Sequence, residues 1–462
     1  MPTCPSLTPS ADLRSTLDSR SHARAWCAFG FAWHLHLLSI PLSTEMPMFT
    51  PSVLAAQTLV SFPVPRPSMW GFDDMEWTSA ATVIRKRPAA AGPLAPANRR
   101  SPLPQQVGQK HRTSSSGHVT GGIRVGTDCS GWESILLAMN GMGVKYDHVF
   151  SSETSAVAKK VLLANHTPRV MYSDIRTRAV ENSPAVDVYH SGFPCQPFSL
   201  AGKKKGVTDS CRGLIYKHCL KYIEHKKPKV VILENVKGLT TMHRHVLDEI
   251  VSKLQRNKYV VKHRVLNACK HGVPQNRQRL FVIGIRNPVR PWAWPKPLSK
   301  PPLKRFLDPK TKTENAQDLT KQFPPRTQRH ARRQVKKFYD ICADNSIDLR
   351  VSNLVVDIDS KKLGMMSGRC PCLTSTRAAC GGHWVACRGR RTSIAEMERL
   401  MGIGVAPPKG GEAAIVHHPP SITDRQWGSM LGNAIPVPLL QRLLCRILPA
   451  AGLSGPLSDL WG

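Results

Sequence analysis

The stretch VDVYHSGFPCQPFS, residues 186–199, decides how the rest of the chain is interpreted. It begins as an apolar run typical of a buried strand and continues into a turn where one cysteine stands between two prolines. Proline fixes the backbone angle φ and removes an amide donor, so this turn is stiff. A thiol near a strand end and a helix start can ionise, because helix dipoles and cations lower its pKa. Cys195 is therefore a candidate nucleophile, although a single cysteine is more often a packing residue.

Six other apolar runs of strand length accompany this one, with helical patterns such as residues 155–166 and 247–257 between them. Alternating strands and helices predict an α/β fold with a largely parallel sheet. The pattern stops after residue 285 in a proline-rich stretch, and helical periodicity returns at residues 393–403 and 428–448. The six other predicted strands are residues 123–129, 147–153, 169–174, 229–235, 260–267 and 279–285.

Polar residues end five of the predicted strands. Taken singly, each acid has an ordinary explanation as a helix N-cap or a loop carboxylate. Together they matter more, because ligands of open α/β sheets bind at the carboxyl ends of the strands. Carboxylates at three successive ends suit the ribose hydroxyls and the exocyclic amine of a nucleoside cofactor. In chain order these residues are Asp128, Glu153, Asp174, Cys195 and Glu234.

Charge points to a polyanionic partner. The 462 residues include 65 Lys or Arg and 31 Asp or Glu, a formal net charge of +34. Residues 286–340 alone hold 15 Lys or Arg against 4 Asp or Glu. Such an excess inside the chain favours nucleic acid as the partner, although basic tails also contribute.

The 13 cysteines have no regular spacing, and no secretory signal precedes them, which predicts free thiols in a reducing compartment. A zinc site is an open alternative, but the spacing of CPC differs from that of common zinc knuckles, and we predict no metal. Packing or loop cysteines explain the same pattern. The residues in question are Cys370, Cys372, Cys380, His383 and Cys387.

Residues 1–120 are rich in Pro, Ser, Ala and Arg and predict a disordered leader. Two basic clusters in residues 85–100 match a bipartite nuclear localisation signal and predict a nuclear protein. The alternative is an organellar transit peptide, because the start of the chain is poor in acids. The apolar run at residues 26–42 is too short and interrupted for a membrane span, so no membrane contact is predicted.

Four motifs in order make residues 123–447 resemble the cytosine-5 DNA methyltransferases. Each motif alone is weak, but the combination in this order and spacing is specific. The matching residues are Pro194, Cys195 and Gln196; Glu234, Asn235 and Val236; Gln275, Arg277 and Arg279; and Gly432 with Asn433.

The resemblance implies an α/β fold: a Rossmann-like mixed sheet of the S-adenosylmethionine-dependent methyltransferases with an inserted small target-recognition domain. It divides the chain into the leader, residues 1–120; a catalytic and cofactor-binding domain, 121–290; a target-recognition region, 291–390; and a C-terminal part, 391–462. S-adenosylmethionine is the implied cofactor and double-stranded DNA the implied partner. The target sequence, maintenance or de novo action and the oligomeric state stay open.

The resemblance also implies residue roles. Cys195 attacks carbon 6 of a cytosine flipped out of the duplex, Glu234 engages N3, and Arg277 and Arg279 hold the ring carbonyl and nearby backbone. The implied cofactor-binding residues are Asp128, Gly131, Glu153, Asp174, Ile175 and Asn433. The implied substrate-binding residues are Pro194, Gln196, Ser199, Asn235 and Gln275.

The first motif departs from the family pattern. The chain has TDCSGWESILLAM from residue 127, where Trp132, Glu133 and Ser134 replace a glycine-rich part. Thr154 stands where an aromatic residue that stacks on adenine is usual. Two alternatives stay open. One is a tRNA cytosine-5 methyltransferase, because that branch of the family uses the same Cys and Glu. The other is a catalytically inactive nucleic-acid-binding homologue, because the altered first motif belongs to the cofactor loop.

Overall fold

The computed structural model describes residues 122–194 and 213–462. The leader, with both predicted targeting signals, therefore lies outside the described residues. So do Cys195, Gln196 and Ser199. Seven strands form the main sheet: β1 (Ile123–Asp128), β2 (Tyr146–Ser152), β3 (Val170–Tyr172), β4 (Val188–Ser191), β5 (Val230–Val236), β6 (Tyr259–Asn267) and β7 (Gln278–Arg286).

The sheet has the order β3-β2-β1-β4-β5-β7-β6, and all seven predicted strands are present. Strands β1 to β5 pair in parallel. The pairs β5–β7 and β6–β7 are antiparallel, so the sheet is mixed, as the predicted fold class requires. Strand order reverses where β1 lies beside β4, and the crevice outside such a reversal is where open α/β sheets bind ligands.

Alternating side chains of the strands pack into two cores, one on each face of the sheet. In β5, Val230 and Ile232 join one core, while Val231 and Leu233 join the other. The first core includes helix α1 (Ser134–Gly141). The second includes α3 (Ile215–Lys226) and α4 (Arg244–Arg256), and α2 (Ala156–Asn165) connects β2 to β3. Both faces are thus covered, as a buried parallel sheet requires.

The basic region after β7 folds around a second, smaller sheet that the sequence did not predict. Its strand order is β11-β10-β8-β9. The strands have only two to four residues, too short for a periodic signal. The elements are α5 (Lys312–Ala316), α6 (Arg329–Asp344), β8 (Leu354–Asp357), β9 (Gly364–Ser367), α7 (Ser375–Ala379), β10 (Trp384–Val385) and β11 (Arg390–Arg391).

The C-terminal residues return to the main core. They form α8 (Ile394–Arg399), α9 (Asp424–Asn433) and α10 (Val437–Ala450). The single helical stretch predicted at residues 428–448 is wrong, because Pro436 separates α9 from α10. Helix α10 is buried along most of its length in the core that contains α1. Within the described ranges, no helix is long and apolar enough to cross a membrane.

Candidate active site

A buried carboxyl group lies beside the reversal of strand order. Glu234 is 8% exposed, and its Oε1 lies 3.1 Å from Arg279 Nε. Burial raises the pKa of Glu234, and the charges of Arg279 and Arg277 oppose this only in part. The carboxyl group therefore holds a proton to higher pH than an exposed glutamate does. Glu234 lies near the carboxyl end of β5, within the strand predicted at residues 229–235.

Asn235 ties this strand to the turn that leads to Cys195. Its Nδ2 donates to the Phe193 carbonyl at 3.1 Å, and its Oδ1 accepts from the Val236 amide at 2.9 Å. Asn235 is 1% exposed and ties β5 to the backbone at Phe193, and its predicted contact with a substrate stays a prediction. Pro194, the last described residue before Cys195, is half-buried.

Arg277, predicted together with Arg279 to hold the ring carbonyl and nearby backbone, is bonded to backbone carbonyls. It is 1% exposed, and its guanidinium donates to the carbonyls of Leu373, Gly432 and Ala434 at 2.7, 3.0 and 2.6 Å. These bonds commit the side chain to three carbonyls from two later segments. Arg277 therefore links these two later segments to the start of β7, and we call a side chain that does this a clasp.

Gln275 is a second clasp of the same motif. It is completely buried, donates to the Leu400 carbonyl at 2.9 Å and accepts from the Leu373 amide at 3.1 Å. Both ends of the side chain are thus bonded inside the fold, and its predicted role in substrate binding stays a prediction. Gln275 and Arg277 thus hold the backbone at residues 373, 400 and 432–434 against the main sheet.

Cys372 is a site residue that the sequence did not identify. Its Sγ lies 3.7 Å from Arg277 Nη1. Burial opposes ionisation of the thiol, but the charges of Arg279 and Arg277 outweigh it and lower the pKa of Cys372. In the sequence, the Cys-Pro-Cys motif suggested only an alternative zinc site. Across the described parts of the chain, no three His, Cys, Asp or Glu side chains form a metal-binding group.

The predicted cofactor residues lie at the adjacent ends of β1, β2 and β3. Gly131 has φ of +59°, a conformation that favours glycine, and its amide donates to Glu153 Oε2 at 2.9 Å. Glu153 Oε1 accepts from the Ser155 amide at 2.8 Å. Glu153 is half-buried and follows β2 directly. Its carboxylate therefore borders the loop after β1.

Asp174 and Ile175 follow the neighbouring strand β3. The Asp174 carboxylate is half-buried and accepts from the Arg176 guanidinium at 2.6 Å, and this bond is the main cause that lowers its pKa. The side chain of Ile175 is 4% exposed. An ionised acceptor beside an apolar side chain fits an adenine ring with its amine.

Asp128 does not face this space. It is completely buried, and its two oxygens each accept from Arg178 at 2.8 Å, while the Tyr189 hydroxyl donates to Oδ2 at 2.6 Å. The guanidinium of Arg178 lies over three aromatic rings. Direct cofactor contact by Asp128 is therefore not supported, because Arg178 already satisfies its charge. Arg178 lies 50 residues away in the chain and no motif identified it.

Asn433 is exposed and is the last residue of α9. The carbonyls on either side of it, from Gly432 and Ala434, are the acceptors that Arg277 uses. A Cβ on Gly432 would lie 2.3 Å from the Ser375 amide nitrogen, so only glycine permits this contact between α9 and α7. The structure thus holds Asn433 beside the Arg277 clasp.

The fold and the site together define a doubly wound α/β protein with a buried, arginine-paired acid on β5 and with carboxylates that follow the neighbouring strands β2 and β3. The family of C-5 cytosine-specific DNA methylases matches residues 126–448. This match spans well over half of the 462 residues, so the chain belongs to that family. The resemblance drawn from the four motifs is confirmed.

Individual relatives are similar over shorter stretches. The Type II methyltransferase M.NgoBV of Neisseria gonorrhoeae is 37% identical over 188 residues, 38% of this chain and 44% of its own. M.HaeII of Haemophilus aegyptius is 32% identical over 209 residues, 42% of this chain and 64% of its own. These matches thus cover less than two thirds of either relative. The crystal structure of S. pombe Dnmt2 methyltransferase has a TM-score of 0.49 and 16% identity, covering 71% of this chain and 98% of that one.

Proposed function

We propose that this protein is a DNA (cytosine-5-)-methyltransferase that acts through a covalent cysteine adduct. One observation carries the proposal: Glu234 is buried, paired with Arg279, and joined through Asn235 to the turn that immediately precedes Cys195. We therefore propose that the Cys195 thiolate and the Glu234 carboxyl group act on the same bound cytosine. That arrangement is what activation of a cytosine ring requires, because carbon 5 is not nucleophilic enough by itself.

The chemistry assigns one role to each group. The Cys195 thiolate forms a bond to carbon 6, and the displaced electron pair makes carbon 5 nucleophilic while N3 receives the proton that Glu234 holds. Arg279 keeps Glu234 oriented, and we propose that its guanidinium also donates to the ring carbonyl. After methylation, loss of the proton from carbon 5 expels the thiolate, N3 returns its proton to Glu234, and the ring is aromatic again. S-adenosylmethionine supplies the electrophilic methyl group.

The cofactor would lie along the ends of β1, β2 and β3. Glu153 would accept the ribose hydroxyls, Asp174 the adenine amine, and Ile175 would contact the ring. The amide of Gly131 and the exposed Asn433 complete the set, while Asp128 acts behind it through Arg178. The half-exposed Glu153 carboxylate and the open space at Gly131, where a Cβ would meet no atom within 4 Å, support this assignment.

Double-stranded DNA is the proposed substrate. Helix α6 buries one apolar face and exposes basic residues on the other, among them Arg329, Arg333, Lys336 and Lys337. Such a face suits the phosphate backbone. Carbon 6 of a stacked base is out of reach of Cys195, so the target cytosine must leave the duplex. We further propose a nuclear protein, on the basic clusters of residues 85–100.

Covalent trapping tests the proposed function. The full chain is incubated with S-adenosylmethionine and duplex DNA that contains 5-fluorocytosine. Cytosine loses a proton from carbon 5 after methylation, but fluorine at that position cannot leave in the same way. We expect a complex that survives denaturation, depends on the cofactor and is absent in Cys195→Ser. Cys380→Ser, which changes an exposed cysteine, is the matched control and should form the adduct like the wild type.

The same assay separates the alternatives. An adduct on fluorinated tRNA but not on DNA would overturn the choice of substrate. No adduct on DNA of varied sequence or on tRNA, with no measurable cofactor binding, would overturn the enzyme and favour the inactive binding homologue.

A further inference from the structure

Glu133 occupies the glycine-rich part of the first motif, yet its side chain is 1% exposed and fully hydrogen-bonded at one oxygen. Its Oε1 accepts from the Thr127 hydroxyl at 2.5 Å and from the Ser151 hydroxyl at 2.6 Å. Thr127 belongs to β1 and Ser151 to β2. One carboxylate oxygen therefore bridges the two strands whose ends border the proposed cofactor site.

The backbone of Glu133 has φ of +66° and ψ of +52°, a left-handed conformation that side chains other than glycine seldom adopt. Local hydrogen bonds must therefore compensate for the strain. His148 Nε2 lies 2.7 Å from the Ser151 hydroxyl and 3.6 Å from Glu133 Oε1. Burial opposes ionisation, but His148, Ser151 and Thr127 outweigh it and lower the pKa of Glu133, which favours the charged acceptor.

Neighbouring residues fix the rest of the loop at residues 129–133. The Ser130 hydroxyl lies 2.7 Å from that of Thr127 and accepts from the Ser152 amide at 3.0 Å. The Trp132 ring is 3% exposed and lies 5.3 Å from the ring of Trp427 in α9. The loop is thus fastened to β1, to β2 and to the helix that ends at Asn433.

We propose that Glu133 is a positioning residue: its carboxylate holds the loop at residues 129–133 in the one conformation that receives S-adenosylmethionine. In this protein, hydrogen bonds replace the conformational freedom of glycine. The Gly131 amide then stays directed at Glu153, the proposed ribose acceptor. The inference rests on the proposed cofactor, and it explains how a chain that departs from the glycine-rich pattern keeps a defined loop.

The test compares Glu133→Gly with Glu133→Gln in the full chain, with calorimetric binding of S-adenosylmethionine and thermal unfolding as the two measurements. Glycine accepts the left-handed backbone without strain but removes the bridge, so the loop spends less time in the binding conformation. We expect a Kd about tenfold higher or more, since apparent affinity falls with the competent fraction. Glutamine keeps an accepting oxygen, and we expect its Kd to lie within about threefold of the wild type.

Glu181→Gly, on an exposed residue whose side chain is 58% accessible, is the matched control and should bind like the wild type. A merely structural role would lower the Tm and the binding stoichiometry but leave the Kd of the folded fraction unchanged. An unchanged or tighter Kd in Glu133→Gly overturns the proposal, and so does an equal loss in Glu133→Gln.

Two further outcomes are distinguishable. If Glu133→Gly does not fold, Ser151→Ala keeps the glutamate and removes one donor, and a wild-type Kd there overturns the proposal. If the wild-type protein itself binds no S-adenosylmethionine, the proposed cofactor fails and the inference fails with it. A wild type that binds the cofactor and variants that bind equally well overturn the inference alone.

Discussion

The two edges of the active site are held by different means. At the catalytic edge, Arg277 reaches carbonyls 96 and 155 residues away in the chain, at Leu373 and Gly432. At the cofactor edge, Glu133 accepts from Thr127 and from Ser151, which are 6 and 18 residues away in the chain. The Gln-x-Arg-x-Arg motif, which matches the family pattern, is thus held by segments that are distant in the chain. The first motif, which departs from the family pattern at Glu133, is held there by hydrogen bonds from residues nearer in the chain.

The largest effect is expected at the catalytic edge. Glu234→Gln removes the proton donor to N3 and should lower kcat by about 10²- to 10⁴-fold, the usual contribution of a general acid. The Kd for S-adenosylmethionine should stay near the wild-type value, because Glu234 lies on β5 and the proposed cofactor residues follow β1 to β3. A variant that loses cofactor affinity as well would erase the distinction between the two edges.

The pH dependence of kcat sharpens this expectation. Because burial raises the pKa of Glu234, the protonated form persists to higher pH and is lost as pH rises through that raised pKa. The wild-type kcat should therefore fall on the alkaline side of its profile. Glu234→Gln should lack this alkaline limb, and a limb that survives in the variant assigns it to another group.

A large loss of stability is expected behind the cofactor edge. Asp128→Asn leaves the buried charge of Arg178 without its partner, and such a change costs about 3–5 kcal/mol. Urea unfolding of the full chain measures it. The control is Asp187→Asn, whose partner Arg124 has a half-exposed side chain, and there we expect about 1 kcal/mol or less. Equal losses in the two variants would contradict the assignment of Asp128 as a buried support.

The smallest effect separates two arginines of one motif. Arg277→Lys keeps the charge but cannot reach three carbonyls in the geometry of a guanidinium, and leaving buried acceptors unbonded costs about 1–3 kcal/mol. Arg279→Lys should change kcat more than stability, because Arg279 contacts Glu234. Reversed results would place the clasp at Arg279 and the substrate contact at Arg277.

Prediction from sequence succeeded where a residue acts through its own neighbours. The seven strands follow from β-branched runs. It failed where the partner is distant. The identity of Gln275 and Arg277 as motif residues does not show whether they link segments of the fold or contact a substrate. In the same way, the sequence at Asp128 does not show whether its carboxylate contacts a ligand or Arg178. The smaller sheet failed for another reason, since its strands are too short to produce a pattern.

The sequence by itself determined the α/β fold, the order of the motifs, the family and the candidate nucleophile and acid. Periodicity and proline chemistry are local, so neighbouring letters carry them. Only the tertiary structure decided which polar residues are supports and which are available to a ligand. That division depends on burial and on partners far along the chain. Glu133 demonstrates it: the sequence showed a missing glycine, and the fold showed a carboxylate that bridges two strands.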